Sequence, residues 1–147
     1  MRCIVVVEAS FRGKHPMRVL IVDDDHDSVA DLATLLAAEG CDVRFEVGVR
    51  AGADTAAAWR PDVALLDIAL PDGGAYLVAR RLRSDGARRG ACLVALSAWG
   101  QKEDRQQATA AGFDHHLVKP IDPLHLRVLL KAVAARLREQ SNGDAPA

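Results

Sequence analysis

Residues 18–25 read Arg-Val-Leu-Ile-Val-Asp-Asp-Asp, a short apolar run that ends abruptly in three acids. A continuous run of this kind, without polar alternation, is the pattern of a strand covered on both faces, as in a parallel sheet. The run Val63 to Leu66 ends in the same way on Asp67. Working outward, three more strands are predicted at Asp42 to Glu46, Cys92 to Leu96 and His116 to Val118. Asp42 to Glu46 alternates in polarity and therefore suits an edge.

Amphipathic segments separate these strands. Val29, Leu32, Ala33 and Leu36 share one face of a first helix, and Gly40 ends it in a left-handed conformation. A short, Ala-rich second helix is predicted at Ala51 to Trp59. The third repeats the spacing with Ala75, Val78, Ala79 and Leu82 and stops near the turn pair Asp85-Gly86. The fourth, Gln101 to Ala111, is polar at its start. Asp122 can cap the last helix, Pro123 suits its first turn, and Leu126, Leu129, Leu130, Val133 and Leu137 form its stripe, with an end near Glu139. Strands alternating with helices predict an α/β domain whose parallel sheet is covered on both sides. The predicted organisation is an N-terminal extension at 1–16, since Met17 directly precedes the first strand, a domain at 17–139 and a flexible tail at 140–147.

With 147 residues, 50% of them hydrophobic, the chain is of single-domain size. Its 19 basic and 20 acidic residues give a net charge of -1, so no uniform field draws in nucleic acid or an anionic membrane. The apolar run Cys3 to Val7 is far too short to span a bilayer. Cys3, Cys41 and Cys92 are scattered and lack zinc spacing, which fits a reduced cytoplasmic setting, and Cys92 reads as a small buried hydrophobe. No nucleic-acid or membrane partner is expected.

An open parallel sheet of order 2-1-3-4-5 binds ligands beyond the carboxyl ends of strands one and three, where the strand order reverses. The sequence delivers Asp23, Asp24 and Asp25 after strand one and Asp67 after strand three to that crevice. Crowded carboxylates require a cation, and so sparse an all-oxygen set suits Mg²⁺ with a phosphoryl oxygen better than a calcium cage. Ser97 after strand four and Lys119 after strand five add a hydroxyl and a cation. A metal on one side of phosphoryl oxygens and a lysine on the other form a clamp for phosphoryl transfer, and a carboxylate can itself be the nucleophile.

Four motifs stand in order: Val-Leu-Ile-Val-Asp-Asp-Asp (19–25), Leu-Leu-Asp-Ile-Ala-Leu-Pro-Asp (65–72), Leu-Ser-Ala (96–98) and Leu-Val-Lys-Pro (117–120). Together they resemble the receiver domain of bacterial response regulators in two-component signalling, from Met17 to about Glu139. The resemblance implies the flavodoxin-like (βα)5 fold with a doubly wound five-stranded parallel sheet. It makes Asp67 the phosphoacceptor and Asp24, Asp67 and the Ala69 carbonyl direct Mg²⁺ ligands, with Asp23 acting largely through water. Ser97 would hydrogen-bond the phosphoryl group, Lys119 would pair with its oxygens, and Pro120 would follow a cis bond. The donor would be a phosphohistidine on a histidine kinase or histidine phosphotransfer protein.

Several residues invite blander readings. Asp25 and Asp27 are taken as capping and first-turn acids, outside the site. Arg80, Arg81, Arg83, Arg88 and Arg89 read as a solvated helix end rather than a phosphate patch. His115 and His116 point to opposite faces of a strand and make a poor chelate. Departures from the family also matter. His116 stands where receivers carry Tyr or Phe, the aromatic that turns inward during switching, and an imidazole could titrate near neutrality and make the output pH-sensitive. Ala75 replaces a common glycine, with Gly73 and Gly74 just before it able to supply flexibility. Ala69 and Trp99 flank the path of attacking water without a group to orient it, which predicts slow loss of phosphate.

The leading reading is a single-domain response regulator, not an enzyme, that signals to a downstream protein target, with a homodimer left open. The stretch from Trp99 to Arg105, with Gly112 to His116, also resembles receivers at the C-terminus of hybrid histidine kinases. One alternative is a small phosphatase working through an aspartyl phosphate, but Ala69 occupies the place of its general acid. Others are a receiver that only binds partners, and a flavin or nucleotide binder, which three acids after strand one disfavour because anions are repelled there.

Overall fold

The computed structural model describes residues 16–84, 91–98 and 102–143. The first apolar run forms β1 (Arg18–Val22), which pairs in parallel with β2 (Asp42–Glu46) on one side and β3 (Val63–Asp67) on the other. Next to β3 lies β4 (Cys92–Ser97), followed by β5 (His115–Val118), so the strand order is 2-1-3-4-5. Both Asp67 and Ser97 are the last residues of their strands rather than the first of their loops. Their backbone positions are therefore set by the ladder, with Asp67 level with Leu96 and Ser97 level with Val118. As its alternation predicts, β2 is an edge.

The connecting helices are α1 (His26–Ala38), α2 (Val49–Trp59), α3 (Gly74–Arg83), α4 (Lys102–Ala110) and α5 (Pro123–Gly143), with a 3-10 turn at Pro71–Gly73 before α3. Asp25 is the N-cap of α1, its side chain accepting from the backbone N–H groups of Asp27 and Ser28, as expected for an acid at a helix start. Gly40 adopts φ 86° beyond the end of α1. One expectation is corrected. Helix α5 continues to Gly143 instead of stopping near Glu139, because no proline or glycine interrupts the chain between Pro123 and Gly143. The predicted turn at Asp85-Gly86 lies outside the described residues, as do residues 1–15 of the predicted extension at 1–16.

Alternation along the strands feeds two cores. Val19, Ile21, Leu65 and Val94 point at α1 and α5, while Leu20, Val22, Leu66 and Leu93 point at α2, α3 and α4. All eight are fully buried, which is why these strands read as unbroken apolar runs. The arrangement leaves the carboxyl ends of the strands as the place where polar side chains enter the otherwise apolar sheet: among the described residues, the buried polar side chains are Asp23, Asp67 and Ser97. No described helix is long and apolar enough to cross a membrane.

Candidate functional site

Register brings the acids together. Val22 is level with Leu66, so the next residues, Asp23 and Asp67, emerge side by side from neighbouring strands. Asp24, one residue on, is exposed at the rim. One carboxylate oxygen from each of Asp23, Asp24 and Asp67 lies within 4.8 Å of the other two. From the far edge of the crevice, Lys119 reaches in with Nζ 2.6 Å from Asp23 Oδ2 and 3.3 Å from Asp67 Oδ2. Its peptide bond to Pro120 is cis, as the family pattern implies.

Backbone donors hold the two buried carboxylates. Asp25 N–H donates to Asp23 Oδ1 at 3.0 Å, and Ala69 N–H donates to Asp67 Oδ1 at 2.8 Å. Burial pushes the Asp23 carboxyl above its ordinary value, with the neighbouring Asp67 charge adding to it, although the bonds from Lys119 and from the Asp25 backbone pull the other way. For Lys119, burial works against the ammonium, but its bonds and proximity to Asp23 and Asp67 outweigh it and raise its pKa. The proton shared within this pair therefore stays on the lysine.

Among the described residues, three carboxylates against one ammonium leave two uncompensated negative charges in a partly buried crevice. Oxygen donors, that charge and an exposed rim at Asp24 fit a hard divalent cation that keeps part of its water shell. The donor set thus fits Mg²⁺, and Asp23, Asp24 and Asp67 are the residues that could hold it.

Ser97, buried at the end of β4, has Oγ 2.9 Å from Nε2 of His116. This contact was not foreseen from the sequence; only the pairing of β4 with β5 makes it. Asp25 caps α1 and Asp27 lies in its first turn; neither belongs to the cluster of three carboxylates. His115 is exposed and lies on the opposite face of β5 from His116, so the two do not converge. Of the arginines, Arg80 and Arg81 are exposed, whereas Arg83 departs from the solvated reading: it bonds the Ala91 and Gly112 carbonyls and Asp114. Trp99, Arg88 and Arg89 lie outside the described residues.

The model of the family described as response regulator receiver domain matches residues 19–131. The chain belongs to that family. The receiver is 33% identical over 120 residues to the DNA-binding dual master transcriptional regulator RpaA of Synechocystis, the match covering 81% of this chain and 49% of that protein. It thus spans about half the length of that curated relative. Among solved structures, the receiver superposes on a response regulator from Chloroflexus aurantiacus with a TM-score of 0.76 at 27% identity, covering 82% of this chain and 99% of the other. It also matches the receiver domain of a sensor histidine kinase from Pseudomonas aeruginosa, with a magnesium ion coordinated in its active-site cleft, at a TM-score of 0.73 and 24% identity, covering 81% and 98% of the two chains. At that identity the second likeness speaks for the fold.

Proposed function

We propose that this receiver accepts a phosphoryl group from a phosphohistidine onto Asp67 in a Mg²⁺-dependent reaction and signals through a protein–protein surface. The observation that carries the reading is the convergence of Asp23, Asp24, Asp67 and Lys119 within one crevice from three different strand ends. In this reading Asp67 is the nucleophile. Its Oδ1 is engaged by the Ala69 N–H, which leaves Oδ2, 3.3 Å from Lys119 Nζ, as the oxygen to attack phosphorus. A P–O bond to Asp67 forms as the P–N bond to the donor imidazole breaks, and the electron pair returns to that imidazole.

Lys119 holds its positive charge where the transferred phosphoryl oxygens arrive, moving from Asp23 and Asp67 onto them, and the Ser97 hydroxyl supplies a neutral donor. Asp24, Asp67 and the Ala69 carbonyl would hold Mg²⁺, with Asp23 acting through water, and the ion would supply countercharge for the phosphoryl oxygens. The partner classes that follow are a histidine kinase or histidine phosphotransfer protein upstream and a protein target downstream, in the cytoplasm. A phosphatase reading is disfavoured by Ala69, which offers no side-chain acid to protonate a leaving group.

The test is intact mass after incubation with a small-molecule phosphodonor and Mg²⁺, on wild type, Asp67→Ala and a metal-free control. Gain of one phosphoryl group in wild type with Mg²⁺ alone is the expected result. No gain in a folded protein under any condition would instead indicate a receiver that binds partners without being phosphorylated.

A further inference from the structure

The Ser97–His116 contact sits at the mouth of the crevice and is built by the sheet. Ala95 is level with His116 and Ser97 with Val118, and the Lys119 N–H donates to the Ser97 carbonyl at 2.8 Å. The strand that carries His116 therefore also fixes the Ser97 backbone and the base of Lys119. Ser97 is only 3% exposed, so water competes poorly for its hydroxyl.

A hydroxyl has one proton to donate and two lone pairs with which to accept. A neutral imidazole whose Nε2 is bare accepts that proton, and Ser97 then turns lone pairs toward the crevice. An imidazole with a hydrogen on Nε2, whether the other tautomer or the imidazolium, donates to Oγ and releases the Ser97 proton to another acceptor. Phosphoryl oxygens only accept. The 2.9 Å contact can be satisfied either way, but only the second arrangement leaves Ser97 able to donate to a phosphoryl group. A phenylalanine ring could impose neither.

We propose that His116 is a positioning residue for Ser97, its Nε2 deciding whether the hydroxyl proton points at the imidazole or at a phosphoryl group on Asp67. The inference rests on the reading of Asp67 as the phosphoacceptor. The bare-Nε2 ring belongs to the unphosphorylated chain, and the phosphoryl group selects the ring protonated at Nε2. Its negative charge further favours the imidazolium, so occupancy of the site takes up a proton from solvent at His116. The described charged groups of the crevice beside Ser97 are Lys119 and the Asp23 and Asp67 carboxylates that it bonds; His115 lies on the opposite face of β5.

The experiment uses the full chain, ¹⁵N-labelled, with Mg²⁺ and beryllofluoride as a phosphoryl stand-in, followed by long-range ¹H–¹⁵N correlation of the histidine rings from about pH 5 to 8. His116 Nε2 is expected to change from bare to protonated on adding beryllofluoride, and its titration midpoint to rise by about one unit. Beryllofluoride should then bind about tenfold more tightly at the acid end than at the alkaline end, relative to His116→Phe. His116→Gln, whose amide donates at every pH, should bind without that dependence. An unchanged Nε2, or pH profiles of wild type and His116→Phe that superimpose, overturns the inference while leaving Asp67 as phosphoacceptor. Absence of beryllofluoride binding, with the Asp67 and Ala69 amides unmoved at all pH values, overturns both. The ring measurement needs only wild type, so a poorly folding variant does not block the decision.

Discussion

The guanidinium of Arg83 donates to the carbonyls of Ala91 and Gly112 at 2.9 and 2.8 Å and to Asp114 Oδ2 at 2.9 Å. The same Asp114 oxygen accepts the Leu93 N–H at 2.9 Å, so one ion pair ties the end of α3 to the starts of β4 and β5. Replacement by Met keeps the apolar stem but leaves these acceptors unserved. Arg83→Met should lower unfolding free energy by about 1.5–3 kcal/mol, the range for hydrogen bonds to charged groups, against under ~0.5 for Arg81→Met on the exposed side. Urea denaturation of both variants checks this. In composition the five arginines look alike; the distinction belongs to the contacts. Cysteines behave as their setting dictates, since burial pushes the thiols of Cys41 and Cys92 up to about 12 from 9.0. Each thiol's contribution is intact below the unfolded value near 9 and is lost as pH rises toward about 12, because the unfolded state gives up its proton first. Stability should therefore fall above about pH 9, and a Cys92→Ala chain should lose less over that window in equilibrium unfolding.

Between elements, closeness of approach decides which glycines matter. Gly73 adopts φ 67° at the entry to α3 and needs its freedom for that conformation. Gly74, its neighbour, has an ordinary helical backbone, yet a Cβ there would collide with Val49 Cγ2 at the start of α2 and stand 3.3 Å from Leu70 Cβ. The pair that reads in sequence as one flexible hinge thus divides into a conformational glycine and a packing glycine. Helix propensity favours Gly74→Ala by about 1 kcal/mol, but overpacking costs about 1–3, so the substitution should destabilise. Val49→Ala in the same chain should recover most of the loss. If thermal melts show Gly74→Ala more stable than wild type, α2 and α3 are not as closely packed as described. The helices themselves were legible at their centres, where Val29, Leu32 and Leu36 repeat on one face, and not at the end of α5, where polar residues without a breaker carry the helix on.

For the whole molecule, the acidic crevice is a local liability, with three carboxylates gathered around one lysine. A cation that binds only the folded chain would offset it. Mg²⁺ at about a hundred times its dissociation constant should raise unfolding free energy by about 2.7 kcal/mol. Asp24→Ala, a change at the exposed rim, should remove most of that rise, and denaturation with and without chelator reads it directly. No Mg²⁺ effect in wild type would mean that the carboxylates are balanced by Lys119 alone. The sequence by itself determined the five strands, their parallel pairing and the acids at their ends, because strands buried on both faces must be unbroken apolar runs and polar residues can enter only where the run stops. Tertiary structure alone decided the rest. Lys119 bonds Asp23 at 2.6 Å, His116 meets Ser97 and Arg83 spans three segments because strands distant in sequence are adjacent in space. Side-chain partners of that kind follow from register and helix packing, and no local pattern of residues encodes them.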